Sequence, residues 1–477
     1  MSALLTDFYE LSMANSYFQL GRSEEIAHFD YFFRRVPDQG GYAIFAGLEQ
    51  VLNYLENLHF TADEIAFLRR KYDFSPQFLD YLTEFRFTGD VWAVVEGSVV
   101  FPNETLLTVR APLIQCQIIE TFLLLSLNHQ SRIASKAARL MNAAQGRPVF
   151  EFGARRAHGA DSANYGARAA YIGGISATSN VYADYQFAVP AFGTMAHAYV
   201  QSFPSEYEAF LNYARCYPDG CYLLIDTYDT MRSGIPNAIR VHKEFLAPQG
   251  KKLLGVRIDS GDLAYLSKQA RQMLDGAGLT DTKISLSNAL DEFLIQDLLA
   301  QHAAVDSFGV GENLITAKSD PVFGGVYKIV ALEQNGQVRP TIKISENSQK
   351  TTTPAPKQLW RFYDRQHMAI ADLLTLREEQ IDPAQPYQLF DPDNPWKRKT
   401  ISNFTVKQLL QPVMVGGQRT APRPSLAEIR AHCQAELQSQ WKETLRLNNP
   451  HKYVVDLSPT LWQLKQDLIN RYAADKS

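Results

Sequence analysis

Gly193 and Thr194 close a short apolar run, Ala188 to Phe192, and His197 follows three residues later, where the chain turns helical. A strand that stops at a glycine and yields to a helix leaves backbone N–H groups free at the turn, and the helix dipole there favours anions. A histidine in that place has the chemistry of an acid, a base or a phosphate acceptor. The alternative is a histidine that merely begins a helix. Its company along the chain favours chemistry: Arg155 and Arg156, Ser179 and Asn180, Asp226 and Asp229, Arg257 and Asp259, Asn288, and Gly309-Val310-Gly311 each follow a short apolar run.

Sorted by type, these residues describe a ligand. Gly309 and Gly311 let backbone N–H groups approach a phosphate, and Lys318 and Lys328 downstream would add positive charge to it. Asp259 has the acceptor pair suited to two neighbouring hydroxyls, as on a ribose, while Asp262 caps the next helix. Asp226 and Asp229 would either hold water on Mg²⁺ or form a structural hydrogen-bonded pair. The ligand so described is a phosphorylated ribose, with arginines left for a second anionic group.

The elements that must position these residues repeat from Val149 onward. Apolar runs (Val149 to Gly153, Ile172 to Ser176, Ala188 to Gly193, Tyr222 to Asp226, Leu253 to Asp259, Lys283 to Ser287, Val305 to Gly309) alternate with helical stretches. Such alternation predicts buried parallel strands with crossovers, here an irregular α/β barrel over residues 146–330 whose site is built at the carboxyl ends of the strands. Residues 1–145 read as an α+β domain: a helix capped by Thr6 or Asp7, with Tyr9 in its first turn; an aromatic strand, Ala27 to Phe33, ending in Arg34 and Arg35; helical patterning over 43–87; β-rich stretches; and a long helix from Ile114 to Ala144. Residues 331–477 hold a hairpin at Asn335-Gly336 and helices near 425–442 and 458–473.

Composition narrows the partners. With 47 basic and 51 acidic residues, a net charge of −4 and no basic block, the chain is not built to track a nucleic-acid backbone. The most apolar window, Ile118 to Leu127, is interrupted by Glu120 and Thr121, short of the roughly 20 residues a membrane span needs. Neither a signal pattern nor a CxxC pair among Cys116, Cys216, Cys221 and Cys433 is present. A cytoplasmic protein of two or more domains is expected.

Eight stretches, TDFYELSMA, FEFGARRAHG, SATSN, GTMAHAY, LLIDTYDT, GVRIDSGDL, SNALDE and DSFGVGENL, carry a specific resemblance to the nicotinate phosphoribosyltransferases, kin of the nicotinamide phosphoribosyltransferases. The resemblance implies transfer from phosphoribosyl pyrophosphate to nicotinate, giving nicotinate mononucleotide and pyrophosphate in NAD biosynthesis, with Mg²⁺, and with ATP hydrolysed through a phosphohistidine at His197. It also implies a homodimer with shared active sites and a C-terminal segment folded back onto the N-terminal domain.

By the same resemblance Phe152 stacks on one face of the pyridine and Tyr9 of the neighbouring subunit on the other. Arg257 meets the ring carboxylate, Arg155 the pyrophosphate and Asp259 the ribose. Gly309 and Gly311 hold the 5′-phosphate, and Arg34 or Arg35, with Lys328, serves phosphates across the dimer. The nicotinamide-using relatives have an aspartate where this chain has Ser179. Rival readings are transfer onto nicotinamide or quinolinate, a non-catalytic nucleotide-binding barrel, and a barrel hydrolase with His197 as base.

Overall fold

The computed structural model describes residues 2–345 and 350–474. It is an α/β fold in two compact units, one formed by Met1–Arg132 with Val322–Ser477 and the other by Ile133–Pro321. The division falls inside the helix Glu120–Ala144.

The second unit is organised by a six-stranded parallel sheet, in the order Ala177–Thr178, Val149–Glu151, Ser307–Val310, Lys283–Ser287, Gly255–Ile258, Tyr222–Leu224. Helices such as Ala160–Ile172, Leu263–Gly276 and Glu292–Ala300 supply the crossovers, and the sheet curls into a half barrel. The strands are buried almost throughout, as parallel strands covered on both faces must be. Asp262 and Asp291 start the two later helices by accepting the N–H groups of Tyr265, and of Phe293 and Leu294. Close packing also selects glycine: a Cβ on Gly255 would lie 2.2 Å from the Tyr222 ring.

Two expected strands differ. Ile172 is the last residue of a helix, and Gly174, at φ 112, turns the chain before the true strand at Ala177–Thr178. Gly173 is pressed against helix 120–144, where a Cβ would sit 2.3 Å from the Ala134 carbonyl. The run Ala188 to Gly193 makes only a single parallel bridge, Ala191 to Thr178. Ala188 is left-handed and Pro190 has no N–H to donate, so the ladder cannot extend.

In the first unit, a seven-stranded sheet runs 337–340, 325–334, 26–33, 107–112, 90–93, 411–415, 418–419. Strand Ile26–Phe33 pairs antiparallel on both sides, and strand Gln411–Val415 pairs with Asp90–Ala93, so early and late segments share one sheet. Asn335 and Gly336, at φ 52 and 75, make the tight hairpin between the strands Gly325–Gln334 and Gln337–Pro340. One core joins Phe45, Leu52, Phe78, Leu107 and Tyr327 to Leu359 and Leu461 from the late segment. Helices Ala62–Lys71 and Leu426–Gln438 each begin with a capping box, Thr61 with Glu64 and Ser425 with Glu428. Among the described residues no helix is long and apolar enough to cross a membrane.

Candidate active site

Strand Val149–Glu151 delivers Phe152 to the carboxyl end of the parallel sheet. The Phe152 N–H donates to the Val310 carbonyl (2.8 Å), and a Cβ on Gly309 would come within 2.6 Å of the Phe152 ring, so glycine there is what gives the ring its place. Beside it, the Ser179 N–H donates to the Glu151 carbonyl (2.8 Å), which sets Ser179 exposed at the rim. Asn180, not Ser179, caps the helix Val181–Phe187, its side chain accepting from the Tyr182 N–H at 3.1 Å.

His197 starts the short helix His197–Gln201. Its Nδ1 is 3.1 Å from Thr227 Oγ1 and its Nε2 is 3.9 Å from Asp259 Oδ2, with both His197 and Asp259 part-exposed. Asp259 is fixed from two sides: Ser287 Oγ donates to its Oδ1 at 2.5 Å, and its own N–H donates to Asp226 Oδ2 at 2.8 Å. Ser260 Oγ also donates to Asp226 Oδ2 (2.6 Å), whereas Asp226 Oδ1 is buried without a partner. Asp229 caps the helical segment that follows, accepting from the Met231 and Arg232 N–H groups at 2.9 and 2.8 Å. Asp226 and Asp229 thus divide into an organiser of the Asp259 loop and a helix cap. Among the described residues, no cluster of three or more His, Cys, Asp or Glu could hold a metal.

Arg257 projects from strand Gly255–Ile258. Its guanidinium Nη2 donates to the Met195 carbonyl at 3.0 Å, and its Nε is buried without a partner. Burial lowers its pKa, against the pull of Asp259 and Asp226. Arg155 lies exposed on the turn Ala154–Arg156, just after Phe152. Gly311 precedes the helix Glu312–Ile315, and Lys318 close by spends its charge on Glu312 at 2.6 Å, which holds that carboxyl below its usual range. After strand Lys283–Ser287, Asn288 and Ala289 are left-handed at φ 101 and 47. Asn313 Nδ2 holds that turn through the Ala289 and Leu290 carbonyls at 2.8 and 3.1 Å, offsetting a strain of about 1–3 kcal/mol per residue.

The structure therefore brings together Phe152, Ser179, His197, Asp226, Asp229, Arg257, Asp259, Gly309 and Gly311, with Arg155 and Lys318, on the strand ends and loops of one unit. Tyr9, Arg34, Arg35 and Lys328 belong to the other. There Tyr9 is 45% exposed in the first turn of helix Phe8–Gln19, and partial burial, Glu120 and neighbouring carboxylates raise its pKa. Lys328 reaches Glu120 at 3.4 Å. Arg34 lies over the Phe32 ring at 5.3 Å with its Nε buried and unpartnered, and Arg35 is exposed.

Sequence reasoning missed the supporting groups: Thr227 against His197, Ser287 and Ser260 around the two aspartates, and Glu151 beneath Phe152. Thr227 and Ser260 each adjoin a residue already singled out. Ser287, the last residue of its strand, was equally open to suspicion.

Family comparisons agree along the whole chain. Models described as the nicotinate phosphoribosyltransferase N-terminal domain, family and C-terminal domain match residues 4–128, 148–369 and 356–465. Nicotinate phosphoribosyltransferase of Bacillus subtilis is 45% identical over 98% of this chain and 95% of its own length, and the human protein of that name is 32% identical over 99% and 97%. The crystal structure of human nicotinic acid phosphoribosyltransferase superposes with a TM-score of 0.86 at 30% identity, covering 97% of this chain and 99% of that one. By sequence and by structure, the chain belongs to the nicotinate phosphoribosyltransferase family.

Proposed function

We propose that the chain transfers the phosphoribosyl group of phosphoribosyl pyrophosphate to nicotinate, and that ATP is coupled to the reaction through phosphorylation of His197. The observation that supports it most is the convergence of Phe152, Arg257, His197 and Asp259 at one end of the parallel sheet, with the Arg257 Nε unpartnered. Nicotinate lies on Phe152 with its carboxylate on Arg257, and the Ser179 hydroxyl donates to the same group. Asp259 Oδ2, left open because Ser287 takes Oδ1, accepts from the ribose hydroxyls. The loop from Gly309 to Gly311 receives the 5′-phosphate, with Lys318 at its edge.

As the C1–O bond to pyrophosphate loosens, positive charge develops on the ribose and the pyridine nitrogen adds to C1. The bonding pair leaves with pyrophosphate, where Arg155 meets the developing negative charge. Asp226 Oδ1, buried and without a protein partner, is one acceptor only, which suits an ion that keeps its water and the substrate's phosphates rather than a cage of protein ligands. Mg²⁺ so held would neutralise pyrophosphate charge. Thr227 orients His197 through Nδ1 and leaves Nε2 as the phosphate acceptor.

A symmetric dimer in which Tyr9, Arg34 or Arg35, and Lys328 come from the neighbouring subunit completes this reading. Mixing Tyr9→Ala with His197→Ala protomers then restores part of the activity, and no recovery in verified mixed dimers contradicts shared sites.

The test is product identification by mass spectrometry, with purified protein, phosphoribosyl pyrophosphate, Mg²⁺ and nicotinate, nicotinamide or quinolinate in turn, with and without ATP. Nicotinate mononucleotide and pyrophosphate are expected, in higher yield with ATP, together with an acid-labile phosphate on the protein that His197→Ala abolishes. Label persisting in that variant removes His197 from the ATP step.

A further inference from the structure

Glu151 is fully buried at the end of its strand, directly before Phe152. One carboxylate oxygen accepts from the Gly153 N–H and the other from Thr178 Oγ1 at 2.6 Å. Thr178 Oγ1 in turn accepts from the Asn180 N–H at 3.1 Å, and the Glu151 carbonyl accepts from the Ser179 N–H. The Gly153 end is as tightly set. A Cβ there would lie 2.8 Å from Glu151 Oε1, 2.6 Å from the Gly311 carbonyl and 2.7 Å from Ile315 Cγ2, so only a glycine lets the carboxylate, the Phe152 turn and the phosphate loop close on one another. One side chain therefore ties the turn that carries Phe152 to the strand end that carries Ser179 and Asn180.

We infer that Glu151 is the positioning residue that sets the gap between the Phe152 ring and the Ser179 rim, and through that gap the choice between pyridine carboxylate and pyridine amide. The inference rests on the proposed placement of nicotinate between these two residues. Glu151 itself touches no substrate: it is beneath the ring wall, and its oxygens are spent on protein donors. A shift of the rim by a fraction of an ångström acts on the ring-binding step, because a misplaced group costs rate far beyond its own contact energy.

The test uses the full chain and three variants, Glu151→Met, Glu151→Gln and Thr178→Val, with KM and kcat measured separately for each substrate. Glu151→Met fills a similar volume and removes both acceptors. It is expected to raise KM for nicotinate about tenfold and to lower the nicotinate-to-nicotinamide ratio of kcat/KM about tenfold, with KM for phosphoribosyl pyrophosphate changed by less than about threefold. Glu151→Gln keeps one acceptor and Thr178→Val loses the hydroxyl alone, so each is expected to shift KM for nicotinate in the same direction by about threefold. A purely structural role predicts lower Tm and lower kcat in proportion to the folded fraction, with KM and the ratio unmoved, and that result overturns the inference. If Glu151→Met yields no folded protein, an unchanged KM and ratio in Thr178→Val overturns it equally. Failure of the unsubstituted chain to convert nicotinate refutes the functional reading and this inference together. Conversion of nicotinate with unmoved constants in the variants refutes the inference alone.

Discussion

Two arginines, Arg361 fully buried in the first unit and Arg257 half-buried in the second, show how differently the same side chain is used. Arg361 is completely buried and fully engaged: Nε on Asp372 at 2.9 Å, Nη1 on Glu436 at 2.8 Å, and Nη2 on Asp372 at 2.7 Å and on the Val99 carbonyl at 2.8 Å. Phe101 and Tyr453, stacked at 3.7 Å, flank it. Arg257 has a single bond, to the Met195 carbonyl, and a buried Nε with no partner. A desolvated guanidinium is costly unless its donors are met, so the full satisfaction of Arg361 fits a structural tie, and the partial satisfaction of Arg257 is what the proposed function uses for the nicotinate carboxylate.

The comparison breaks first at Arg361. Replacing it with methionine strands Asp372 and Glu436, and the expected loss is about 3–5 kcal/mol of stability, read by denaturant melts, with kcat/KM per folded molecule changed by less than about threefold. A loss of activity without a loss of stability would reverse the assignment.

Arg257→Met gives the opposite pattern. It removes an under-satisfied, half-buried cation, so the stability change is expected to be under about 1 kcal/mol, while kcat/KM for nicotinate falls by about a hundredfold or more. Equal losses for nicotinate and nicotinamide would show that Arg257 does not read the carboxylate.

The smallest expected effect sharpens the comparison with a third kind of buried charge, one served by hydroxyls and no cation. Glu10 accepts from Thr121 Oγ1 at 2.6 Å and from Thr6 Oγ1. Burial raises its carboxyl from 4.5 to about 7, those hydroxyls oppose the rise, and Glu120 and Asp7 add to it. A raised carboxyl contributes stability that is fully present below its unfolded pKa and is lost as pH rises through about 7. Glu10→Gln removes that dependence. It should match the parent near pH 4.5 and exceed it by about 2 kcal/mol at pH 8, and parallel stability curves for the two chains would contradict this origin of the shift.

What the sequence made legible follows the same division. Strand-end chemistry showed through because a parallel strand followed by a loop and a helix leaves a compact signature: an apolar run, then Asp259 to Asp262 or Gly309 to Gly311, then a helical stretch. The helix cap at Asp262 was readable because it depends on neighbours in sequence alone. Contacts between distant segments were not. Asp7 occupies the N-cap position but its side chain makes no capping bond; its N–H instead goes to Thr121 Oγ1 at 3.0 Å, and the Thr6 hydroxyl goes to Glu10. Ile172 to Ser176 imitates a strand because a glycine pair behind a helix end looks like a strand end until the packing of Gly173 on Ala134 is seen. Glu151 reads as one more alternating strand residue, and only the fold reveals that its partners are 2 and 27 residues away.

The central claim, that this set of strand ends binds nicotinate by its carboxylate, is tested most directly by the ratio of kcat/KM for nicotinate to that for nicotinamide, in the unsubstituted chain and in Ser179→Asp. A carboxylate at 179 would face the nicotinate carboxylate, and two like charges about 4 Å apart repel by roughly 4 kcal/mol at an effective dielectric of about 20. The unsubstituted chain is expected to prefer nicotinate strongly, and Ser179→Asp to lower kcat/KM for nicotinate by about a hundredfold or more while the ratio moves toward nicotinamide. Equal or better turnover of nicotinamide by the unsubstituted chain, or a ratio that Ser179→Asp leaves unchanged, would contradict it.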